Sequence, residues 1–120
     1  MKTLLIVEDD TDIQDYYQIL LSGLEVRILS AYTGKEGLKF IDAGESIDLI
    51  LLDIVLPEMG GEEFFRELRL VRQLPTSVIV CSVDEKLIQP LRRIGTVQAT
   101  FLKGDPGGAL VAMIKERLGL

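Results

Sequence analysis

The sequence predicts an α/β fold in which a parallel sheet carries helices on both faces, and three observations point there. Strand-length apolar runs alternate with helix-period segments at short spacing, five times over. Three runs, Thr3 to Val7, Ile47 to Leu52 and Ser77 to Ser82, are apolar almost throughout, as strands buried on both faces must be. The other two, Val26 to Ala31 and Val97 to Leu102, carry polar residues and belong at the edges. Setting strands one, three and four inside gives the order 2-1-3-4-5, a doubly wound (βα)5 three-layer sandwich.

Each element has a local justification. Thr3 to Val7 runs into Glu8-Asp9-Asp10, where Asp10 or Thr11 can cap a helix burying Ile13, Tyr17, Leu20 and Leu24, with Gly23 near its end. Arg27 and Ser30 interrupt the second strand. Thr33 with Glu36 forms a capping box for a helix that buries Leu38 and Ile41 and stops at Gly44. The third strand ends at Asp53, and Pro57 and the Gly60-Gly61 pair turn the chain into the next helix. That helix points Phe64, Phe65, Leu68 and Val71 inward and closes at Pro75. After the fourth strand, Asp84 to Ile94 has helical character, but Pro90 must kink, shorten or delay it. The fifth strand leads to Lys103. Asp105 then caps a last helix with Pro106 in its first position and Leu110, Val111, Ile114 and Leu118 on its inner face. Lys115 and Arg117 complement its dipole. The pattern matches the flavodoxin-like winding.

Composition narrows the function classes. The 120 residues form one domain, 1–120, with no internal repeat or linker. With 48% hydrophobic and 27% charged residues the chain is globular, and no apolar run approaches the ~20 residues that span a membrane. Met1-Lys2-Thr3-Leu4 enters a strand directly, without a secretory cleavage region. The single cysteine, Cys81, lies in an apolar run, reads as a small buried hydrophobe and suits a reducing compartment, so a cytoplasmic location is expected. Thirteen basic against nineteen acidic residues, net −6, argue against direct nucleic-acid binding. The absence of histidine removes His-based metal sites and general bases.

The third strand organises the rest. An aspartate ending a strand buried on both faces costs desolvation energy unless something pairs with it. In a doubly wound sheet, ligands sit outside the carboxyl ends of the strands, at the switch point between strands one and three. That rim collects Glu8 and Asp9 after strand one, Asp53 after strand three, Ser82 at the end of strand four and Lys103 after strand five. Singly, each has an ordinary explanation: acids after strands cap helices, strand-end serines bond backbone, and a lysine after an edge strand is solvated. Jointly they are hard to obtain by chance. Three neighbouring carboxylates repel unless one is protonated or a cation sits among them. An oxygen-only donor set points to Mg²⁺, or Mn²⁺. A carboxylate beside such an ion can attack phosphorus, with Lys103 and Ser82 contacting phosphoryl oxygens.

At this point the chain resembles, over essentially its full length, a receiver domain of the two-component response-regulator family. The matching motifs are Leu5-Ile6-Val7-Glu8-Asp9-Asp10, Asp53-Ile54-Val55-Leu56-Pro57-Glu58-Met59-Gly60-Gly61, Val78-Ile79-Val80-Cys81-Ser82 and Phe101-Leu102-Lys103. The resemblance implies a CheY-like fold and a phosphoryl group accepted by Asp53 from a histidine of a partner kinase or phosphotransfer protein. Glu8, Asp9, Asp53 and the Val55 backbone carbonyl would bind Mg²⁺, and Lys103 would contact the phosphoryl group. Ser82 would swing toward it and move the face built by helix four and strand five. That face would recruit a downstream protein, an effector domain or a second copy of the chain. The chain would act as a signalling module rather than an enzyme, and Leu118-Gly119-Leu120 would close it where a receiver ends, without an effector domain.

Four departures from the family pattern stand out. Val83 replaces a very small residue after Ser82 and is expected to narrow the path to Asp53. Gly104 replaces a proline after Lys103, which predicts a more flexible loop. Thr100 stands where the family places its switch aromatic, and Phe101 lies one residue later; either strand five is shifted or aromatic rotation is not the readout. Pro90 alters helix four. Val55 is apolar and cannot orient a hydrolytic water, which predicts slow self-dephosphorylation. Two other readings compete. One is a receiver-like protein-binding module that acts without phosphorylation. The other is an enzyme or carrier on the same winding: a phosphatase, which would want a second acid where Val55 stands, or a flavin protein, whose phosphate Glu8-Asp9-Asp10 would repel.

Overall fold

In the computed structural model, which describes residues 1–120, the apolar runs become five parallel strands: β1 (Lys2–Val7), β2 (Val26–Ala31), β3 (Leu49–Asp53), β4 (Ser77–Ser82) and β5 (Ala99–Leu102). Their order is β2-β1-β3-β4-β5. The inner strands β1, β3 and β4 are buried almost end to end, whereas β2 and β5 are half-exposed. Side chains alternate across the sheet. Leu5, Val7, Ile50, Leu52, Val78 and Val80 pack on one face with Phe64, Phe65 and Leu91. Leu4, Ile6, Leu49, Leu51, Ile79 and Cys81 pack on the other with Tyr17, Leu110 and Ile114.

Two strands begin later than their apolar runs. Ile47 and Asp48 precede β3 because Asp48 clasps β1 instead: its N–H donates to Thr3 O at 2.9 Å and its carboxylate accepts from Thr3 N at 2.8 Å. Before β5, the Gln98 side chain takes Val78 N–H at 2.7 Å.

The helices are α1 (Thr11–Leu20), α2 (Gly34–Asp42), α3 (Gly61–Arg66), α4 (Gln89–Ile94) and α5 (Gly107–Leu118). Asp10 caps α1, accepting from the N–H groups of Asp12 and Ile13. Thr33 caps α2 through Glu36 N–H at 3.1 Å, and Glu36 reaches back to Tyr32 N–H, one residue outside the expected box. The inner face of α1 differs from expectation. Gln14, Tyr17 and Leu21 are buried, while Ile13, Leu20 and Leu24 are only half-buried, because the helix is rotated to bring the Gln14 amide over the ends of β1 and β2.

Val71 is expected inward but is 63% exposed. Beyond Arg66 the helix widens into a π turn, Glu67–Val71, in which Arg72 N–H donates to Glu67 O. The extra residue turns Val71 out and Arg69 in. Arg69 lies over the Phe65 ring and donates to Leu74 O and Thr96 O, each at 2.8 Å, which ties α3 to the connection before β5. Pro90 delays and shortens α4, as expected. Asp84 caps a 3-10 turn, Glu85–Leu87, and α4 begins only at Gln89, with Pro90 in the first turn where its missing N–H costs nothing. Asp105 does not cap α5. Its N–H closes a turn onto Leu102 O at 3.1 Å, and Pro106 occupies the cap position instead.

Candidate functional site

The rim at the carboxyl ends of the strands is built by backbone rules. β1 ends at Val7, and Glu8 N–H donates to Ala31 O at 3.0 Å, one step beyond the β1–β2 ladder. Asp10 N–H then donates to the Glu8 carboxylate at 3.2 Å before α1 begins. After β3, Gly61 N–H donates to Ile54 O at 2.8 Å. A Cβ on Gly61 would stand 2.6 Å from Asp53 O and from Ile54 Cα, so only glycine lets the loop fold back this closely. Lys103 arrives from β5, its N–H donating to Ser82 O at 2.8 Å. Gly104 has φ +104°, and Asp105 N–H donates to Leu102 O across the turn it permits.

These constraints gather the expected residues. Carboxylate oxygens of Glu8, Asp9 and Asp53 all lie within 4.8 Å of one another. Glu8 and Asp53 are buried, 2% and 5% exposed, while Asp9 faces solvent. Lys103 Nζ stands 3.2 Å from Asp53 Oδ1 and 3.3 Å from Glu8 Oε2. Burial pushes the Glu8 carboxyl up to about 7, assisted by the hydrogen-bonding and charged Asp53 carboxylate and opposed by Lys103. Burial works against the Lys103 ammonium, but the charges of Asp53 and Glu8 and its hydrogen bonds to them outweigh it, and the net direction is upward. One lysine thus balances part of the charge of three acids, while burial, with Asp53 adding to it, keeps the Glu8 carboxyl raised. An oxygen-only cluster in that condition fits a hard divalent cation.

Ser82 is buried at the end of β4, but its hydroxyl is engaged locally, donating to Asp84 O at 2.9 Å and accepting from Asp84 N–H at 3.1 Å. Val55 and Val83 stand at the rim, 65% and 71% exposed. Val55 N–H approaches Asp53 Oδ1 at 3.4 Å. In strand five Thr100 pairs with Val80 and Phe101 with Cys81. Phe101 is therefore buried in the core under α1 and α5, on the face opposite α4. Cys81, 1% exposed, has its thiol pushed up to about 12 by burial, so it stays a neutral core residue. One residue at the site is absent from the sequence reading. Gln14, 1% exposed, donates from Nε2 to the carbonyls of Ala31 at 3.0 Å, Glu8 at 3.1 Å and Ile6 at 3.3 Å. The available signal was its spacing, three before Tyr17 and seven before Leu21, on one helix face.

No helix is long and apolar enough to cross a membrane. The chain matches the response regulator receiver domain family over residues 4–102. It is 34% identical over 85 residues to the transcriptional regulatory protein AfsQ1 of Streptomyces coelicolor, covering 71% of this chain and 37% of that one. It is 36% identical over 85 residues to the KDP operon transcriptional regulatory protein KdpE of Escherichia coli, again 71% of this chain and 37% of the relative. The chain thus spans little more than a third of these curated relatives. A crystal structure of a CheY-like response regulator receiver domain protein from Methanospirillum hungatei superposes with a TM-score of 0.87 at 30% identity, covering 99% of this chain and 94% of that one.

Proposed function

From the premise that this chain belongs to the response-regulator receiver family, we propose that it is a phospho-accepting signalling receiver, one domain over 1–120, with Asp53 as acceptor. The observation that carries the proposal is the buried Asp53 carboxylate, 3.2 Å from Lys103 Nζ and grouped with Glu8 and Asp9 oxygens within 4.8 Å. An Asp53 oxygen attacks the phosphorus of a phosphohistidine on a sensor kinase or phosphotransfer protein. The new O–P bond forms as the P–N bond breaks, and the imidazole nitrogen leaves with the electron pair. Lys103 pairs with a phosphoryl oxygen. Glu8, Asp9, Asp53 and the Val55 carbonyl hold Mg²⁺ or Mn²⁺, which when bound neutralises charge on the phosphoryl oxygens.

Ser82 then exchanges its bond to the Asp84 backbone for one to the phosphoryl group. Because Asp84 caps the 3-10 turn that leads into α4, this exchange reaches the α4–β5 face directly. With Phe101 held in the opposite core, aromatic rotation is not the readout. The moved face recruits a downstream protein, an effector domain or a second copy, and the chain acts in the cytoplasm as a signalling module, not as an enzyme turning over substrate. The apolar Val55 at the rim supports a long-lived phosphoryl group. Peptide mapping after treatment with acetyl phosphate and Mg²⁺ tests the proposal: a hydroxylamine-labile phosphoryl group on the peptide containing Asp53 supports it. A label elsewhere, or none, removes it and leaves a binding module that works without phosphorylation.

A further inference from the structure

We infer that Gln14 is a positioning residue for the divalent-cation site, holding the Glu8 backbone and through it the Glu8 and Asp9 carboxylates. The inference rests on the receiver reading of that site. Gln14 sits in the first turns of α1 and is 1% exposed. Its two N–H bonds face three carbonyl oxygens, those of Ala31, Glu8 and Ile6. This arrangement fixes which end of the amide is nitrogen, since the opposite orientation would set Oε1 against three acceptors. Oε1 has no hydrogen-bond partner among the protein's own groups.

A buried amide with an orphaned acceptor is an expensive way to fill space. A leucine or methionine would pack the same volume without that cost, so what sets the amide apart is its donors. They act at the one place where the sheet no longer holds the chain. The β1–β2 ladder ends at Val7 and Ala31. Glu8 lies just past it, its N–H bound to Ala31 O and its carbonyl bound to Gln14. The adjoining Asp10 is held by its cap on α1. Repulsion among three carboxylates gathered within 4.8 Å pushes this loop outward, away from Asp53. With Gln14 in place, the loop is anchored at both ends and the acids stay close enough to share one ion. Without it, the Glu8 carbonyl is free and the loop can relax.

The test compares Gln14→Met, which keeps the volume and removes the donors, with Leu21→Ala, which weakens the same helix away from the loop. Mg²⁺ binding is read by calorimetry at a temperature where circular dichroism shows both variants folded, and amide hydrogen exchange is read at Asp9 and Asp10. Gln14→Met is expected to weaken Mg²⁺ binding about 10-fold, as loss of an outer-shell partner does, and to speed exchange at those amides. Leu21→Ala is expected to lower Tm with Mg²⁺ affinity within about twofold of wild type. Should Gln14→Met not fold, Gln14→Asn keeps the amide but shortens its reach, and is expected to show the same weakening in smaller measure. Equal Mg²⁺ affinity in the wild type and the Gln14 variant, or an equal loss in Leu21→Ala, overturns the inference alone. A wild type that binds Mg²⁺ but takes no phosphoryl group overturns the receiver reading while leaving this result standing. A wild type that binds no Mg²⁺ overturns both.

Discussion

Around β1 and β3 the rim is tied to backbone at several points: Glu8 through Ala31 and Gln14, Asp10 through its cap, and the loop after Asp53 through Gly61. Around α4 and β5 the elements are short. The helix has six residues, a 3-10 turn precedes it, the strand has four, and the Ser82 hydroxyl is bound only to its neighbour Asp84. The first region must hold like charges together against repulsion, so it is over-determined. On the proposed reading the second exchanges one arrangement for another, and the Ser82–Asp84 bonds it would exchange are local. On the same reading, acceptance belongs to the first region and output to the second.

The sharpest way to break that assignment is at Lys103, which joins them. Lys103→Met is expected to slow phosphoryl incorporation from acetyl phosphate by about 100-fold, the scale for loss of one charge-stabilising group. A rate within about threefold of wild type would show that Lys103 only balances Glu8 and Asp53. Next comes strand five. Phe101→Ala is expected to cost about 3 kcal/mol in denaturant unfolding, because a buried ring leaves a cavity. Thr100→Val, on the α4 side, is expected to cost less than about 1 kcal/mol. A reversed ranking would place Phe101 in the output machinery.

The acceptor region also carries a pH signature. Glu8 titrates at about 7 in the metal-free fold against 4.5 unperturbed, so between these values the folded state holds a proton that the unfolded chain has lost. Stability is therefore full below about pH 4.5 and falls as pH rises to about 7. Asp42, held below its usual range by Arg72, titrates under this window. Thermal unfolding of metal-free protein across the window should show Tm declining by several degrees relative to Glu8→Gln, and saturating Mg²⁺ should abolish the difference. No difference between the two proteins would mean Glu8 is not crowded. The smallest effect is at Val55. Val55→Asn is expected to shorten the phosphoryl lifetime several-fold, about 1 kcal/mol in barrier, measured by decay of the phosphorylated mass. An unchanged lifetime would sink the role of the apolar rim.

Much of this was legible in the chain, for physical reasons that differ by element. Strand order followed from which runs could tolerate burial on both faces, and Thr33, Gly61 and Asp10 announced the helix starts by local chemistry. The meeting of Glu8, Asp9, Asp53 and Lys103 followed from strand order alone, since each lies at or within two residues of the carboxyl end of a parallel strand. The π turn was not legible. Hydrophobic period places Val71 inward, and only the tertiary partners of Arg69, Thr96 O and the Phe65 ring, explain the extra residue. Gln14 was missed because a polar residue on an apolar helix face reads as an interruption until its carbonyl partners are known. Asp105 looked like a cap, yet α5 begins one residue later than that reading needs, with Pro106 in the cap position and no side-chain cap bond.

The central claim, that Asp53 is the acceptor in a cation-dependent reaction, is tested most directly by intact mass after incubation with acetyl phosphate, with and without Mg²⁺, beside Asp53→Asn. The account predicts the mass of one phosphoryl group on the wild type with Mg²⁺, and none without Mg²⁺ or in Asp53→Asn. A phosphoryl group that persists in Asp53→Asn, or a wild type that gains none while binding Mg²⁺, would contradict it.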